Sequence, residues 1–131
     1  MDNILMFLTP KAQVDFLYED FTVRQAIEKM EVHKYATIPV IERKTGYYLR
    51  SLNYGDFLSY ILANRTDFDD LEKIPLSEVK EYREIKPVYV SAEISSLYKV
   101  MLEQNYVPVV DDQNVFIGIV TRKNIMSHLI W

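Results

Sequence analysis

Two stretches of the chain repeat one pattern, and that pattern determines the fold. Residues 37–62 read TIPVIERKTGYYLRSLNYGDFLSYIL, and residues 106–130 read YVPVVDDQNVFIGIVTRKNIMSHLI. Pro39 aligns with Pro108, and Asp56 aligns with Asn124, with a single-residue difference in length between these two landmarks. The difference falls in the turn after the first strand, where a change in length costs little. The sequence therefore predicts two copies of one structural unit.

The helical segments support the same alignment. One apolar face at i, i+3, i+4 and i+7 is typical of an amphipathic helix packed on a core. Before the repeated strands this spacing holds Val23, Ala26, Ile27 and Met30 in the first copy, and Ile94, Leu97, Tyr98 and Met101 in the second. After the strands, Phe57, Leu58, Ile61 and Leu62 correspond to Ile125, Met126, Leu129 and Ile130. Each copy therefore has one helix before its strand pair and one after it.

Each copy is expected to fold as βαββα within a mixed α/β (α+β) protein. The predicted strands are 14–18, 37–41, 47–52, 88–90, 107–110 and 115–120, and the predicted helices are 22–32, 54–63, 94–103 and 122–130. Thr22 and Gln25 form a capping box for the first helix. The copies span residues 1–66 and 87–131, joined by a connector over 67–86 that has a short helical turn at Leu76–Val79. We expect one compact module with pseudo-two-fold symmetry, its sheets packed on each other and its helices outside.

Composition excludes several classes of function. The formal net charge of −4 opposes nucleic-acid binding, which relies on summed positive charge. The chain has no cysteine and only two histidines, so a zinc site is not expected. No nucleophile–base pair or glycine-rich phosphate loop indicates an enzyme. No apolar stretch is long enough to cross a membrane, and no secretory leader is recognisable, so we expect a cytoplasmic protein.

The ordered pattern apolar-Pro-Val, turn, apolar-Gly-Ile-Val-Thr-x-x-Asn resembles a tandem pair of CBS domains over residues 9–130. The segments MEVHKYATIPVIE and NYVPVVDDQNVFIGIVTRK are similar to those of small stand-alone CBS-pair proteins of Gram-positive bacteria, some of which bind cyclic di-AMP. The resemblance implies a regulatory protein without a resident cofactor. It would bind cyclic di-AMP, or AMP, ADP or ATP, in the cleft between its repeats, form a homodimer and signal to a partner protein.

In such proteins the corner between the last strand and the last helix supplies a hydroxyl for phosphate and a carboxylate for ribose. The second copy has the hydroxyl on Thr121, followed by the cations Arg122 and Lys123, but Asn124 replaces the carboxylate. A phosphate is favoured at a helix N-terminus, and the planar fork of an arginine can bind it through two hydrogen bonds. We therefore expect an anion-binding cleft centred on this corner.

The first-copy corner keeps the opposite half of the pattern. Asp56 retains the carboxylate, but Asn53 replaces the threonine, and Arg50 replaces the glycine that stands at 118 in the second copy. This second cleft is expected to be degenerate or suited to a nucleoside. The adenine is expected against strand residues of both copies, with backbone groups of the strand entry at its edge. These candidate residues are Ile38, Val40, Val107, Val109, Gln13, Val14 and Asp15.

Structural alternatives exist for every candidate. Thr121 serves equally as a helix N-cap, Arg122 as a solvated charge and Asp56 as a first-turn acid. The four aliphatic strand residues are typical of a core. The ten tyrosines and Trp131 are expected at core edges or in an oligomer interface. The alternative function is a structural dimerisation module with vestigial clefts.

Overall fold

The computed structural model describes residues 3–33 and 35–130, without the side chain of Ile130. Trp131, expected at a core edge or interface, lies outside these residues. The helices are α1 (Val23–His33), α2 (Tyr54–Asn64), α3 (Ile94–Met101) and α4 (Arg122–Ile130). The strands are β1 (Thr9–Pro10), β2 (Leu17–Tyr18), β3 (Thr37–Ile41), β4 (Tyr48–Asn53), β5 (Val88–Tyr89), β6 (Tyr106–Val110) and β7 (Phe116–Thr121). Short 3₁₀ turns lie at Ile4–Phe7, Lys11–Gln13, Phe68–Lys73 and Leu76–Glu78. The two predicted βαββα copies and the mixed α/β class are confirmed.

The first-repeat unit comprises Phe16–Lys44 and Leu49–Glu84. Its sheet has the order β2-β3-β4, and β2 runs parallel to β3 with Leu17 opposite Val40. Helix α1 opens with the predicted capping box, in which Thr22 N–H donates to Gln25 Oε1 over 2.8 Å and Gln25 N–H donates to Thr22 Oγ1 over 3.2 Å. The core of the unit consists of buried apolar residues from α1, from the sheet and from the 3₁₀ turns of the connector.

The second-repeat unit comprises the chain up to Asp15, Thr45–Tyr48 and the chain from Ile85 onward. Its sheet has the order β1-β7-β6-β5, with β5 parallel to β6 and β7 antiparallel to both of its neighbours. Ile4 and Phe7 of the first 3₁₀ turn are buried in its core, beside residues of α3, β6 and β7. The first copy was predicted to span residues 1–66. Its amino-terminal residues 3–15 instead belong to the second-repeat unit.

The amino-terminal segment joins this unit through β1, a strand that the sequence did not indicate. Thr9 pairs with Ile119, and Pro10 pairs with Gly118. A side chain at Gly118 would collide with the carbonyl oxygen of Thr9 and would lie 2.9 Å from Leu8. The space beside this glycine is occupied by the chain's own strand β1. Gly118 therefore positions β1, and with it Thr9, beside the corner of the second repeat.

The equivalent position in the first repeat holds Arg50. Its guanidinium donates to the carbonyl oxygens of Leu76 and Val79 and to Glu19 Oε1, the last over 2.7 Å. The bonds to Leu76 and Val79 hold the connector against β4. The predicted helical turn of the connector is confirmed as the 3₁₀ turn at Leu76–Glu78, whose Leu76 is fully buried.

Candidate functional site

The corner of the second repeat begins where β7 ends. Thr121 is the last residue of β7, and α4 starts at Arg122. The backbone N–H of Asn124 donates to Thr121 Oγ1 over 3.1 Å, which is the hydrogen bond of an N-cap. Because Oγ1 acts here as an acceptor, the hydroxyl hydrogen of Thr121 remains available as a donor. The N-cap alternative for Thr121 is therefore realised, and it leaves the predicted phosphate donor in place.

The side chain of Asn124 ties this corner to the amino-terminal segment. Its Nδ2 donates to the carbonyl oxygen of Phe7 over 3.1 Å and to Thr9 Oγ1 over 2.8 Å. Thr9 Oγ1 is thus also an acceptor, and its hydroxyl hydrogen is left to donate elsewhere. The oxygen of Asn124 accepts no hydrogen bond from the part of the chain that the structure describes. The corner consequently presents two hydroxyl donors beside one amide acceptor.

Thr9 and Asn124 line a cleft with a volume of about 590 Å³ in the second-repeat unit, and Thr121 lies beside it through its bond to Asn124 without lining it. The cleft is lined by Met6, Phe7, Leu8, Thr9, Gln13, Asn124, Ser127 and His128. It therefore brings together two of the predicted site residues, Gln13 and Asn124, which are far apart in sequence. The imidazole of His128 meets the Phe7 ring edge-on, with 5.1 Å between centroids. None of the described residues in this lining carries a carboxylate, so they do not repel an anionic ligand.

The lining residues outside Gln13 and Asn124 were missed by sequence reasoning. Phe7 ends the 3₁₀ turn before β1 and Thr9 is the first residue of β1, and a two-residue strand has no periodicity to detect. Ser127 and His128 lie on the exposed side of α4, where no neighbouring motif marks them. The available signal was the Thr-Pro dipeptide at 9–10, because proline favours an extended residue before it. Val14 and Asp15 are half-buried and do not line the cleft.

Arg122 does not join the predicted anion site. Its Nη2 and Nε donate to the carbonyl oxygen of Met101, over 3.0 and 3.2 Å. That carbonyl belongs to the last residue of α3, so the guanidinium caps this helix. The residue lines a different hollow of about 270 Å³, together with Tyr98, Met101, Leu102, Ile125 and Met126. Lys123 is exposed on α4 and does not line the cleft.

The corner of the first repeat is occupied by its own chain. Asn53 and Asp56 form a reciprocal capping box at the start of α2, with bonds of 2.9 and 3.0 Å. The other oxygen of Asp56 accepts the backbone N–H of Tyr82 over 3.1 Å, and the residue is only 2% exposed. The expected nucleoside-binding carboxylate is thus engaged in holding the connector. The alternative of a first-turn structural acid describes Asp56 better.

The residues expected to contact adenine are core residues. Ile38 and Val40 belong to the core of the first-repeat unit, and Val107 and Val109 belong to the core of the second. None of the four is more than 1% exposed, so their side chains offer no surface to a base. Their apolar character is explained by packing alone.

Within residues 3–33 and 35–130, no group of three or more carboxylate or imidazole side chains is placed to hold a metal ion. Among the helices described, none is long and apolar enough to cross a bilayer.

The CBS-domain family model matches the chain twice, over residues 8–63 and 79–130. The protein belongs to the CBS-domain family. Its two repeats are thus a CBS pair, a class whose members are generally regulatory rather than catalytic. No curated protein sequence matches the chain.

Solved structures of other CBS pairs have the same fold. CbpB in complex with c-di-AMP superposes with a TM-score of 0.90 at 20% identity, covering 98% of this chain and 85% of that one. Listeria monocytogenes CbpB, also in complex with c-di-AMP, has a TM-score of 0.81 at 19% identity, with coverages of 94% and 91%. CbpB from Streptococcus agalactiae has a TM-score of 0.85 at 20% identity, with coverages of 97% and 79%. At these identities the likeness concerns the fold.

Proposed function

We propose that this CBS pair is a cytoplasmic regulatory protein that binds an adenine nucleotide and signals to a partner protein. Cyclic di-AMP is the preferred ligand, with AMP, ADP or ATP as the alternatives. The observation that carries the proposal is the arrangement of Thr9, Thr121 and Asn124 at one corner, next to a cleft whose described lining residues include no carboxylate. No catalytic step is proposed.

The chemistry of this corner suits a phosphate ester. Two hydroxyls whose oxygens already accept a hydrogen bond have their hydrogens free to donate to phosphate oxygens. The first turn of α4 adds the partial positive charge of a helix N-terminus. Gln13 supplies an amide on the same cleft that can pair with the polar edge of a base. The fold shared with two CBS pairs solved in complex with c-di-AMP supports the choice of ligand class.

Signalling requires that the ligand prefer one of two states of the protein. A ligand with equal affinity for both states transmits nothing, however tightly it binds. The corner provides a physical basis for such a preference, because Asn124 connects α4 to the amino-terminal segment through Phe7 and Thr9. A nucleotide bound there would contact both elements and stabilise one arrangement of them.

Calorimetric titration of the nucleotide-free full chain tests this function. The protein is titrated with c-di-AMP, AMP, ADP and ATP, and we expect saturable binding of at least one. Thr9→Val removes one hydroxyl and is expected to weaken binding about 10-fold or more, the value of one hydrogen bond to a charged group. Thr66→Val is the matched control, since Thr66 lies in the first-repeat unit and does not line the cleft. Absence of saturable heat with all four nucleotides would exclude the proposed function.

One observation favours a structural dimerisation module instead. Helices α2 and α4 both expose apolar residues, Leu58 and Leu62 on α2 and Met126 and Leu129 on α4. Exposed apolar surface of this kind marks a contact with another protein, and a second copy of the chain is the expected partner. Analytical ultracentrifugation measures this association. A stable dimer that binds none of the four nucleotides would favour the structural module.

A further inference from the structure

The amide of Asn124 has a fixed orientation in the second-repeat corner. The carbonyl oxygen of Phe7 only accepts hydrogen bonds, so the group facing it over 3.1 Å must be the NH₂ of the side chain. The second hydrogen of that NH₂ points to Thr9 Oγ1, 2.8 Å away. Both donors of the amide are therefore used within the chain. Only the oxygen Oδ1 remains for a ligand, and it can accept a hydroxyl but cannot donate.

A carboxylate could not replace this amide without cost. An aspartate at 124 would place a charged acceptor against the carbonyl of Phe7, which has no hydrogen to offer. The first repeat shows the opposite case, since Asp56 faces two backbone N–H groups, those of Asn53 and Tyr82. The local backbone thus favours a carboxylate in one corner and an amide in the other.

The change from carboxylate to amide alters which sugar the corner can hold. A carboxylate has two oxygens and can accept both hydroxyls of a free 2′,3′-diol through charge-assisted bonds. The single available oxygen of Asn124 matches one hydroxyl. A ribose whose 3′ oxygen is esterified has only its 2′ hydroxyl to donate. Such a ligand can make the one hydrogen bond that Asn124 offers. Unlike a free 2′,3′-diol, it has no 3′ hydroxyl left without an acceptor.

Granted the nucleotide-binding function proposed above, on which this specificity rests, we propose that Asn124 selects 3′-esterified nucleotides over nucleotides with a free 2′,3′-diol. The chemical class it favours is a 3′,5′-linked adenine dinucleotide. The lining residues that the structure describes include no carboxylate, which adds to the preference because a second phosphate meets no like charge from them.

Four ligands separate the contribution of each hydroxyl in the unmodified protein. Calorimetry compares c-di-AMP with its 2′-deoxy form, c-di-dAMP, and AMP with 3′-deoxy-AMP. We expect c-di-AMP to bind more tightly than AMP, and c-di-dAMP to bind about 5–10-fold more weakly than c-di-AMP, because it lacks the hydroxyl that Oδ1 accepts. AMP and 3′-deoxy-AMP should agree within about 2-fold, because the 3′ hydroxyl has no acceptor on Asn124.

The substitution Asn124→Asp is the complementary arm. In a folded variant, as judged by thermal unfolding, AMP should bind about 10-fold more tightly than 3′-deoxy-AMP. The affinity for c-di-AMP should fall by a similar factor. Asn105→Asp adds the same charge at an exposed position away from the cleft and is the matched control. Equal binding of c-di-AMP and c-di-dAMP, or a loss of 5-fold or more with 3′-deoxy-AMP in the unmodified protein, would overturn the specificity alone. Failure of every ligand to bind would remove the proposed function and this specificity with it.

Discussion

The carboxylate of Asp56 joins the start of α2 to the connector, because its Oδ1 accepts the backbone N–H of Tyr82 over 3.1 Å. Its Oδ2 accepts the N–H of Asn53 over 2.9 Å, so both oxygens are used within the first-repeat unit. A residue that the family resemblance assigns to ribose therefore has a structural partner on each side. The corner of the first repeat holds the protein's own backbone.

Replacing Asp56 should reduce stability. Asp56→Ala leaves two backbone N–H groups without their acceptor, and hydrogen bonds to charged groups contribute about 1.5–3 kcal/mol each. We expect the free energy of unfolding, measured in urea, to fall by about 2–4 kcal/mol. Asp56→Asn is the control, because its side-chain oxygen still accepts one of the two bonds. A loss below about 0.5 kcal/mol in the alanine variant would contradict the structural role.

The amino-terminal strand should depend on Gly118. Gly118→Ala places a methyl group against the carbonyl oxygen of Thr9, so β1 must move away from β7. We expect a loss of about 1–3 kcal/mol in the free energy of unfolding, typical of overpacking. The backbone amides of the β1–β7 pair should also exchange hydrogen faster. In Gly55→Ala the nearest contact of the new methyl is Asn53 Oδ1 at 3.1 Å, and its cost should be smaller. Equal losses in the two variants would contradict the close-approach role of Gly118.

The helices of this protein were predictable from sequence, and its long-range hydrogen bonds were not. The apolar stripe through Val23 and Met30 predicted α1 to within one residue at each end, and α4 was predicted at its observed bounds. Apolar residues that recur with a period of 3.6 indicate the buried face of a helix directly from the sequence. Two-residue strands such as β1 are too short to show a periodic pattern, and their place in the sheet follows from tertiary packing.

The partners of the polar corner residues were beyond sequence reasoning for a related reason. Asp56 and Tyr82 are 26 positions apart, and Asn124 and Phe7 are 117 apart. A capping residue is recognisable from its near neighbours, which is why the Thr22–Gln25 box was predicted correctly. A corner is available to a ligand only where no distant segment of the chain hydrogen-bonds its polar side chains. The repeat alignment does not show which distant segment contacts each corner.

A pH dependence should arise from Glu81 in the connector. Burial raises the pKa of its carboxyl above the ordinary value of 4.5, against the opposing effects of the Ser51 backbone and Arg50. The folded state therefore holds this proton more tightly than the unfolded state, and the free energy of unfolding falls as the pH rises from about 4.5 through the raised pKa. Glu81→Gln keeps the shape without the charge. Urea denaturation should show the variant to be more stable than the unmodified protein at pH 7.

The difference between these two proteins should shrink as the pH falls toward about 4.5, where the carboxyl is increasingly protonated in both states. Asp112→Asn, at an exposed turn position, is the control for removing one negative charge. A stability difference that stays constant across this pH range would contradict the assignment to Glu81.

Arg122 should act on stability and leave ligand binding largely unchanged. Its guanidinium caps α3 through the carbonyl of Met101, so Arg122→Gln should lower the free energy of unfolding by about 0.5–1.5 kcal/mol. The dissociation constant of c-di-AMP should change by less than about 3-fold, because the side chain does not line the cleft. Lys123→Gln removes the adjacent exposed cation and controls for the general effect of positive charge. The contrary result would be a loss of affinity of more than about 10-fold in Arg122→Gln, with unchanged stability and with normal binding by Lys123→Gln. It would indicate that Arg122 binds the phosphate. In that case its bond to Met101 would have to break when the nucleotide binds.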